Sequence, residues 1–168
     1  MKNLITTCIL VLSVFTIQAQ NTPISAWQEK WENSKNYLLE IAESMPQEHY
    51  NYKPTEREMT FAEQLVHIAN NINWLSNTYF EGEKIDKFEG ITDKEEIIAI
   101  LKNAFENGKT AVANTKELDL KTTVDFFAGP KTKLQILNLL QDHVTHHRAQ
   151  TIVYLNLKGI EPPRYSGW

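Results

Sequence analysis

The chain has 168 residues, 42% of them hydrophobic, with only 6 Gly and 6 Pro, enough length and apolar mass for one domain with its own core. Lys+Arg 17 against Asp+Glu 21 gives a formal net charge of −4, and no basic cluster offsets it, which argues against nucleic acid as a partner. Cys8 is the only cysteine, so a disulfide within the chain and a cysteine-ligated zinc are both excluded.

The first predicted element is a leader. Met1-Lys2-Asn3 is short and basic, Leu4 to Ile17 is mostly apolar, and Gln18-Ala19-Gln20 follows. This pattern predicts a cleavable signal peptide over 1–19, cut after Ala19, and a secreted or periplasmic protein. An apolar run of about fourteen residues falls short of the roughly 20 that a membrane-spanning helix needs, so no stable membrane anchor is expected after cleavage. The remaining domain, 20–168, loses Lys2 and Cys8, and its charge becomes 16 − 21 = −5. Any metal held there must bind His, Asp or Glu.

Four segments with helical periodicity follow, and each opens on a capping-box pattern: Ser25 to Gln28, Thr60 to Glu63, Thr92 to Glu95, Thr132 to Gln135. The expected fold class is therefore all-α, a four-helix bundle. The first helix is predicted over about 25–45, with Trp27, Trp31, Leu38, Ile41 and Met45 recurring at three and four and Pro46 ending it. His49 falls in the polar loop beyond, where solvation is expected. The second begins at Thr60, and Phe61, Leu65, Ile68, Ile72, Leu75 and Tyr79 make its seam, with Gly82 marking its end. His67 lies off that seam, on a second face with Glu63, Asn70, Asn71 and Trp74. Periodicity alone puts it on the exposed side, although a helix lining a cleft would use such a face.

The third helix is predicted over about 93–114 (Ile97, Ile98, Leu101, Ala104, Phe105, Ala111, Val112), modestly weakened by Gly108. The connector 116–131 is long for a bundle, and Leu118, Leu120, Val124, Phe126 and Phe127 suggest that it packs over the helices. The fourth helix spans Thr132 to Lys158, with Gly159 placed for a left-handed cap and Pro162-Pro163 forbidding continuation. His143 and His147 are four apart and fall inside its apolar stripe, whereas Asp142 and His146 point elsewhere. Two imidazoles on a buried face need partners. Either ordinary core hydrogen bonds satisfy them or they share one metal ion.

Met59-Thr-Phe-Ala-Glu-Gln-Leu-Val-His67-Ile-Ala, Asp142-His143-Val-Thr-His146-His147-Arg-Ala-Gln150 and the ending Tyr154-Leu-Asn-Leu-Lys-Gly-Ile-Glu-Pro-Pro163 together resemble the DinB-like family of four-helix-bundle metal proteins. The resemblance covers essentially the whole of 20–168. It departs from many members at Ala149, where they have Gly. It implies that His67 joins His143 and His147 as ligands of one divalent metal ion. Zinc is the first expectation for three histidines, and nickel, iron or manganese also accept imidazole. Relatives include thiol-dependent S-transferases and a mycothiol-dependent maleylpyruvate isomerase. This implies an exported metal-dependent enzyme acting on a small molecule, a thiol among the candidates, by thiol transfer or hydrolysis. The alternative is a non-catalytic metal-binding or interaction bundle whose ion is structural, and a metal-free bundle that pairs as a homodimer is a third reading. No general base is assigned. His146 reads as a residue of the surface or of the layer behind the ligands, and Glu63 and Asn71, one turn either side of His67, read first as solvated helix residues, with orienting His67 as the alternative.

Overall fold

The computed structural model describes residues 22–167, so the predicted signal peptide lies outside the described residues. Four helices carry the fold: α1 (Pro23–Ser44), α2 (Phe61–Phe80), α3 (Lys94–Ala113) and α4 (Lys133–Leu157). Short 3-10 turns occupy Gln47–His49 and Glu117–Lys121, and β1 (Thr123–Val124) pairs antiparallel with β2 (Lys131–Thr132). The seam residues predicted on all four helices are buried: Trp31, Leu38, Leu65, Ile72, Leu101, Phe105, Leu140 and Leu155 are at most 1% exposed. Among the described residues no helix is long and apolar enough to cross a membrane.

Two of the four expected capping boxes form. Thr60 with Glu63 and Thr132 with Gln135 satisfy both reciprocal bonds. The other two start elsewhere, because a better cap lies nearby. Pro23 presets the helical φ at the first position, so Thr22 caps α1 and accepts from Ser25 N. On α3 the cap is Asp93, whose carboxylate accepts from Glu96 N at 2.9 Å. Thr92 is left outside the helix, its carbonyl accepting from Gln47 Nε2 while Gln47 Oε1 accepts from Lys94 N. The left-handed residue ending α2 is Glu81 (φ 58), not Gly82. Gly82 serves close approach instead, since a Cβ there would stand 2.9 Å from the Ser76 carbonyl carbon. Gly159 does adopt the expected positive φ, 71°.

Contacts between helices fix their directions. Lys94 Nζ reaches the carbonyl of Glu43, while Lys35 and Glu32 pair with Glu106 and Lys109, so α1 and α3 run antiparallel. Phe61 packs on Tyr154, and His67 meets His143, so α2 and α4 are antiparallel too. Ser34 bonds to Gln141 and Tyr37 lies under Arg148, which makes α1 and α4 parallel. It follows that α2 and α3 are also parallel, and residues 81–93 must return along the length of α2 before α3 begins. Fully extended, that segment reaches about 40 Å, and α2 is about 30 Å long. Asn77 holds Gly82, and Asn70 holds both the N–H and the carbonyl of Phe88, pinning this crossover to the second face of α2.

The connector 116–131 covers the bundle only in part. Leu120 is buried and Val124 and Phe126 pack against the core, but Leu118 and Phe127 are 73% and 84% exposed. His49 lies in the 3-10 turn and is half-buried rather than solvated.

Candidate metal centre

The crossover resolves the difficulty that periodicity posed for His67. A residue off the core seam of α2 would be solvated on a helix with one covered face. Here the second face lies beneath residues 81–93, and His67 is half-buried. From α4, His143 and His147 project toward it from successive turns. The three imidazoles stand with ring centroids 4.8 Å (67–143), 4.5 Å (67–147) and 4.4 Å (143–147) apart. Each offers a ring nitrogen within 4.8 Å of the other two, a cluster that could hold a metal ion. The Nε2 atoms of His67 and His143 are 3.0 Å apart. Two nitrogens each about 2.0–2.1 Å from a shared tetrahedral ion would be about 3.3 Å apart, so the pair, a hydrogen bond as it stands, lies within a few tenths of an ångström of the spacing a common ion needs.

Electrostatics favours the ligand-competent form of all three. Burial pushes His143 down to about 3, with the neighbouring His147, His67 and His146 charges adding to it. Burial first, then His67 and His146, brings His147 to about 4. His67 is lowered by burial and by the Lys87 ammonium. Near neutral pH all three rings are therefore uncharged, as coordination requires.

Hydrogen bonding also fixes which nitrogen His147 presents. The Tyr154 hydroxyl donates to the Met59 carbonyl at 2.6 Å, an acceptor that offers no alternative role. Its oxygen is thus free to accept from Gln64 Nε2 (3.4 Å), which turns Gln64 Oε1 toward His147 Nδ1 at 2.7 Å. That oxygen can only accept, so His147 donates from Nδ1, which leaves Nε2 as the unprotonated nitrogen of the neutral ring. Gln64 is 2% exposed, and this relay is sealed in the α2–α4 interface.

The hydrogen bond that orients a ring of the cluster runs from His147 to Gln64, a residue the sequence reading did not single out, and Glu63 and Asn71 are engaged otherwise. Glu63 is committed to the capping box, accepting from Thr60 N at 2.7 Å. Asn71 has a buried Oδ1 with no protein partner, as does the Nδ1 of His143. Gln64 lies on the seam side of α2, and a polar residue there among Phe61, Leu65 and Ile68 was the signal available. His146 is exposed, its ring edge-on to His147 at 4.8 Å and its Nε2 3.3 Å from Gln150, so it stays outside the cluster as expected.

Two clefts reach His67, one lined by the later part of the crossover (87–92) and one by its earlier part (Lys84, Ile85 and Lys87). One, about 510 Å³, lies toward Arg57, Glu58 and Glu63; the other, about 430 Å³, runs toward Trp74, Lys84 and Ile85. Lys87 borders both. The arrangement is thus three neutral nitrogen donors at mid-bundle, open at one ligand to two small-molecule-sized spaces.

Comparison with known proteins agrees with this architecture. Residues 20–167 match the DinB family, and the chain belongs to that family. It is 25% identical over 132 residues to the uncharacterized protein YjoA of Bacillus subtilis strain 168, covering 74% of this chain and 84% of the relative. The crystal structure of that DinB-like YjoA superposes with a TM-score of 0.70 at 26% identity, covering 84% of this chain and 97% of the other. A DinB-like protein from Bacillus cereus ATCC 10987 superposes with a TM-score of 0.71 at 21% identity, over 83% and 95% of the two chains, and shows the shared fold.

Proposed function

We propose that this DinB-family protein is an exported metal-dependent enzyme acting on a small molecule, with His67, His143 and His147 holding one divalent ion, zinc by preference. One observation carries the reading: three uncharged imidazoles from two helices converge within 4.8 Å, and the cluster is open rather than enclosed. Three protein nitrogens leave further positions at the ion free, the arrangement of catalytic rather than structural sites. Bound there, such an ion supplies Lewis acidity, which activates water or holds a thiol as thiolate. Thiol transfer and hydrolysis are therefore the two reaction classes proposed.

The protein's own contributions are positional. Gln64 and Tyr154 hold His147 in one tautomer. The crossover, fixed by Asn70, lines both of the clefts that reach His67. Among the described residues no carboxylate bonds to any of the three rings, so the donor set is wholly neutral. Export rests on the leader pattern of residues 1–19.

Elemental analysis of natively expressed protein tests the reading, with an expected content near one divalent ion per chain. His67→Ala and His143→Ala should each abolish it, together with any turnover found in a screen of thiols and electrophiles. Protein devoid of metal after growth and reconstitution with zinc, nickel, iron and manganese would refute the site. An ion whose removal only lowers the melting temperature, with no small molecule competing for it, would instead assign it a bracing role.

A further inference from the structure

The cleft of about 430 Å³ on the Trp74 side differs from the rest of the surface in its chemistry. We propose that it binds a small aromatic carboxylate, with the ring against Trp74 and Ile85, the carboxylate against Lys84 and Lys87, and one edge facing His67. This deepens the function proposed above and rests on that reading for the cleft's role as a substrate site.

The first observation is an aromatic wall. Trp74 is 43% exposed in the middle of α2, an unusual place for an indole to face water. It is not loose: Phe126 and Phe127, from the β1–β2 hairpin, stack on it at 6.2 and 6.5 Å with ring planes tilted by 25° and 30°, and Phe126 rests in turn on Tyr79. A large flat side chain braced by two others and lining a cleft offers a preformed stacking face.

The second observation is charge. The protein is net negative, yet the only charged side chains lining this cleft are Lys84 and Lys87. Lys84 has no ion-pair partner among the described residues. Lys87 meets Glu89 at 2.7 Å, but both side chains are largely exposed, and such a pair is readily exchanged for another anion. The cleft of about 510 Å³ shows the contrast, for Glu58, Glu63 and Glu89 line it together with Arg57 and Lys87. A planar body and one negative charge, in that order along the cleft, satisfy both features. An apolar amine or a neutral sugar satisfies neither.

Equilibrium dialysis of the zinc-treated protein against 2-naphthoate and the uncharged 2-naphthamide tests the assignment. Naphthoate should bind about tenfold more tightly, the sum expected of two exposed ion pairs. Lys84→Gln and Lys87→Gln should each remove part of that preference and leave naphthamide unchanged, while Trp74→Ala should weaken both probes at least tenfold and Trp74→Phe restore most of the loss. Equal binding of the two probes, or naphthoate binding insensitive to Trp74→Ala, would overturn the proposal. A charge preference that survives the double lysine replacement would overturn it too, since the carboxylate would then sit at the histidine cluster. Zinc content, measured in the same samples, separates the two readings. Stoichiometric zinc with neither probe bound sinks the cleft assignment alone, and lysine- and tryptophan-dependent naphthoate binding without zinc sinks the metal reading alone.

Discussion

The relay from Met59 to His147 makes opposite demands on its two side chains, and replacing each in turn exposes this. Gln64→Ala removes the acceptor 2.7 Å from His147 Nδ1, so nothing holds the ring in its ligating tautomer. Losing such a partner costs about 10–100-fold in metal affinity, or about 1.4–2.7 kcal/mol. Tyr154→Phe acts on His147 only through the 3.4 Å contact with Gln64, and its effect on affinity should stay below about fivefold. The same change breaks the buried 2.6 Å bond to the Met59 carbonyl, which should cost about 1–3 kcal/mol of folding stability. Gln64→Ala should therefore cost more zinc affinity than Tyr154→Phe, and Tyr154→Phe should be markedly worse for stability than for zinc. Competition with a chromophoric chelator reads the first quantity, and urea unfolding of metal-free protein reads the second. Gln64→Glu, which keeps an acceptor, should bind zinc at least as well as the parent. Affinity of Gln64→Ala within twofold of the parent, or Tyr154→Phe weakening zinc more than Gln64→Ala, would refute the relay.

Acid should destabilise the metal-free protein early. His143 at about 3 and His147 at about 4 lie below the unfolded value of about 6.5, so the native state binds fewer protons; their contribution is full above about pH 6.5 and is lost as pH falls toward 4 and 3. Melting temperatures of chelator-treated protein that stay flat from about pH 7 to 5 would contradict this. Gly108→Ala should destabilise: Ala gains about 1 kcal/mol of helix propensity, but its Cβ would meet Trp31, Ile72 and Ser76 at 3.1, 3.2 and 3.3 Å. Trp31 cannot yield, being bonded to the Phe105 carbonyl and stacked on Trp27, so overpacking of about 1–3 kcal/mol prevails and the melting temperature falls. Asp93→Ala should cost about 1 kcal/mol in urea unfolding, and Thr92→Ala much less, which distinguishes the true cap of α3 from its neighbour.

The helices were legible because burial on each follows one repeating pattern, and Leu38, Ile68, Leu101 and Leu140 all lie where a 3.6-residue period puts them. Helix starts were less so, since Thr22 and Asp93 are cap residues as competent as Ser25 and Thr92, and Pro23 tips one contest. The pair His143 and His147 was visible as polarity inside an apolar stripe. His67 was not visible from periodicity, because its environment comes from residues 81–93, and their path depends on α2 and α3 running parallel. Ile85, Phe88 and Ile91, every third residue and all half-buried, carried that information in a rhythm that belongs to neither helix nor strand.

That returning segment divides the molecule's work in a useful way. The spacing of the three imidazoles is set by α2 and α4, whose separation the core enforces. The crossover that lines both clefts is plain chain, fastened at its middle by the amide of Asn70 and paired with no strand among the described residues. Its side chains at 84–91 can therefore be exchanged, lengthened or recharged while the nitrogen triangle beneath keeps its dimensions. The crossover and the histidine triangle are carried by separate stretches of backbone, so a designer could reshape one wall of the clefts beside His67 without touching the helices that carry the triangle.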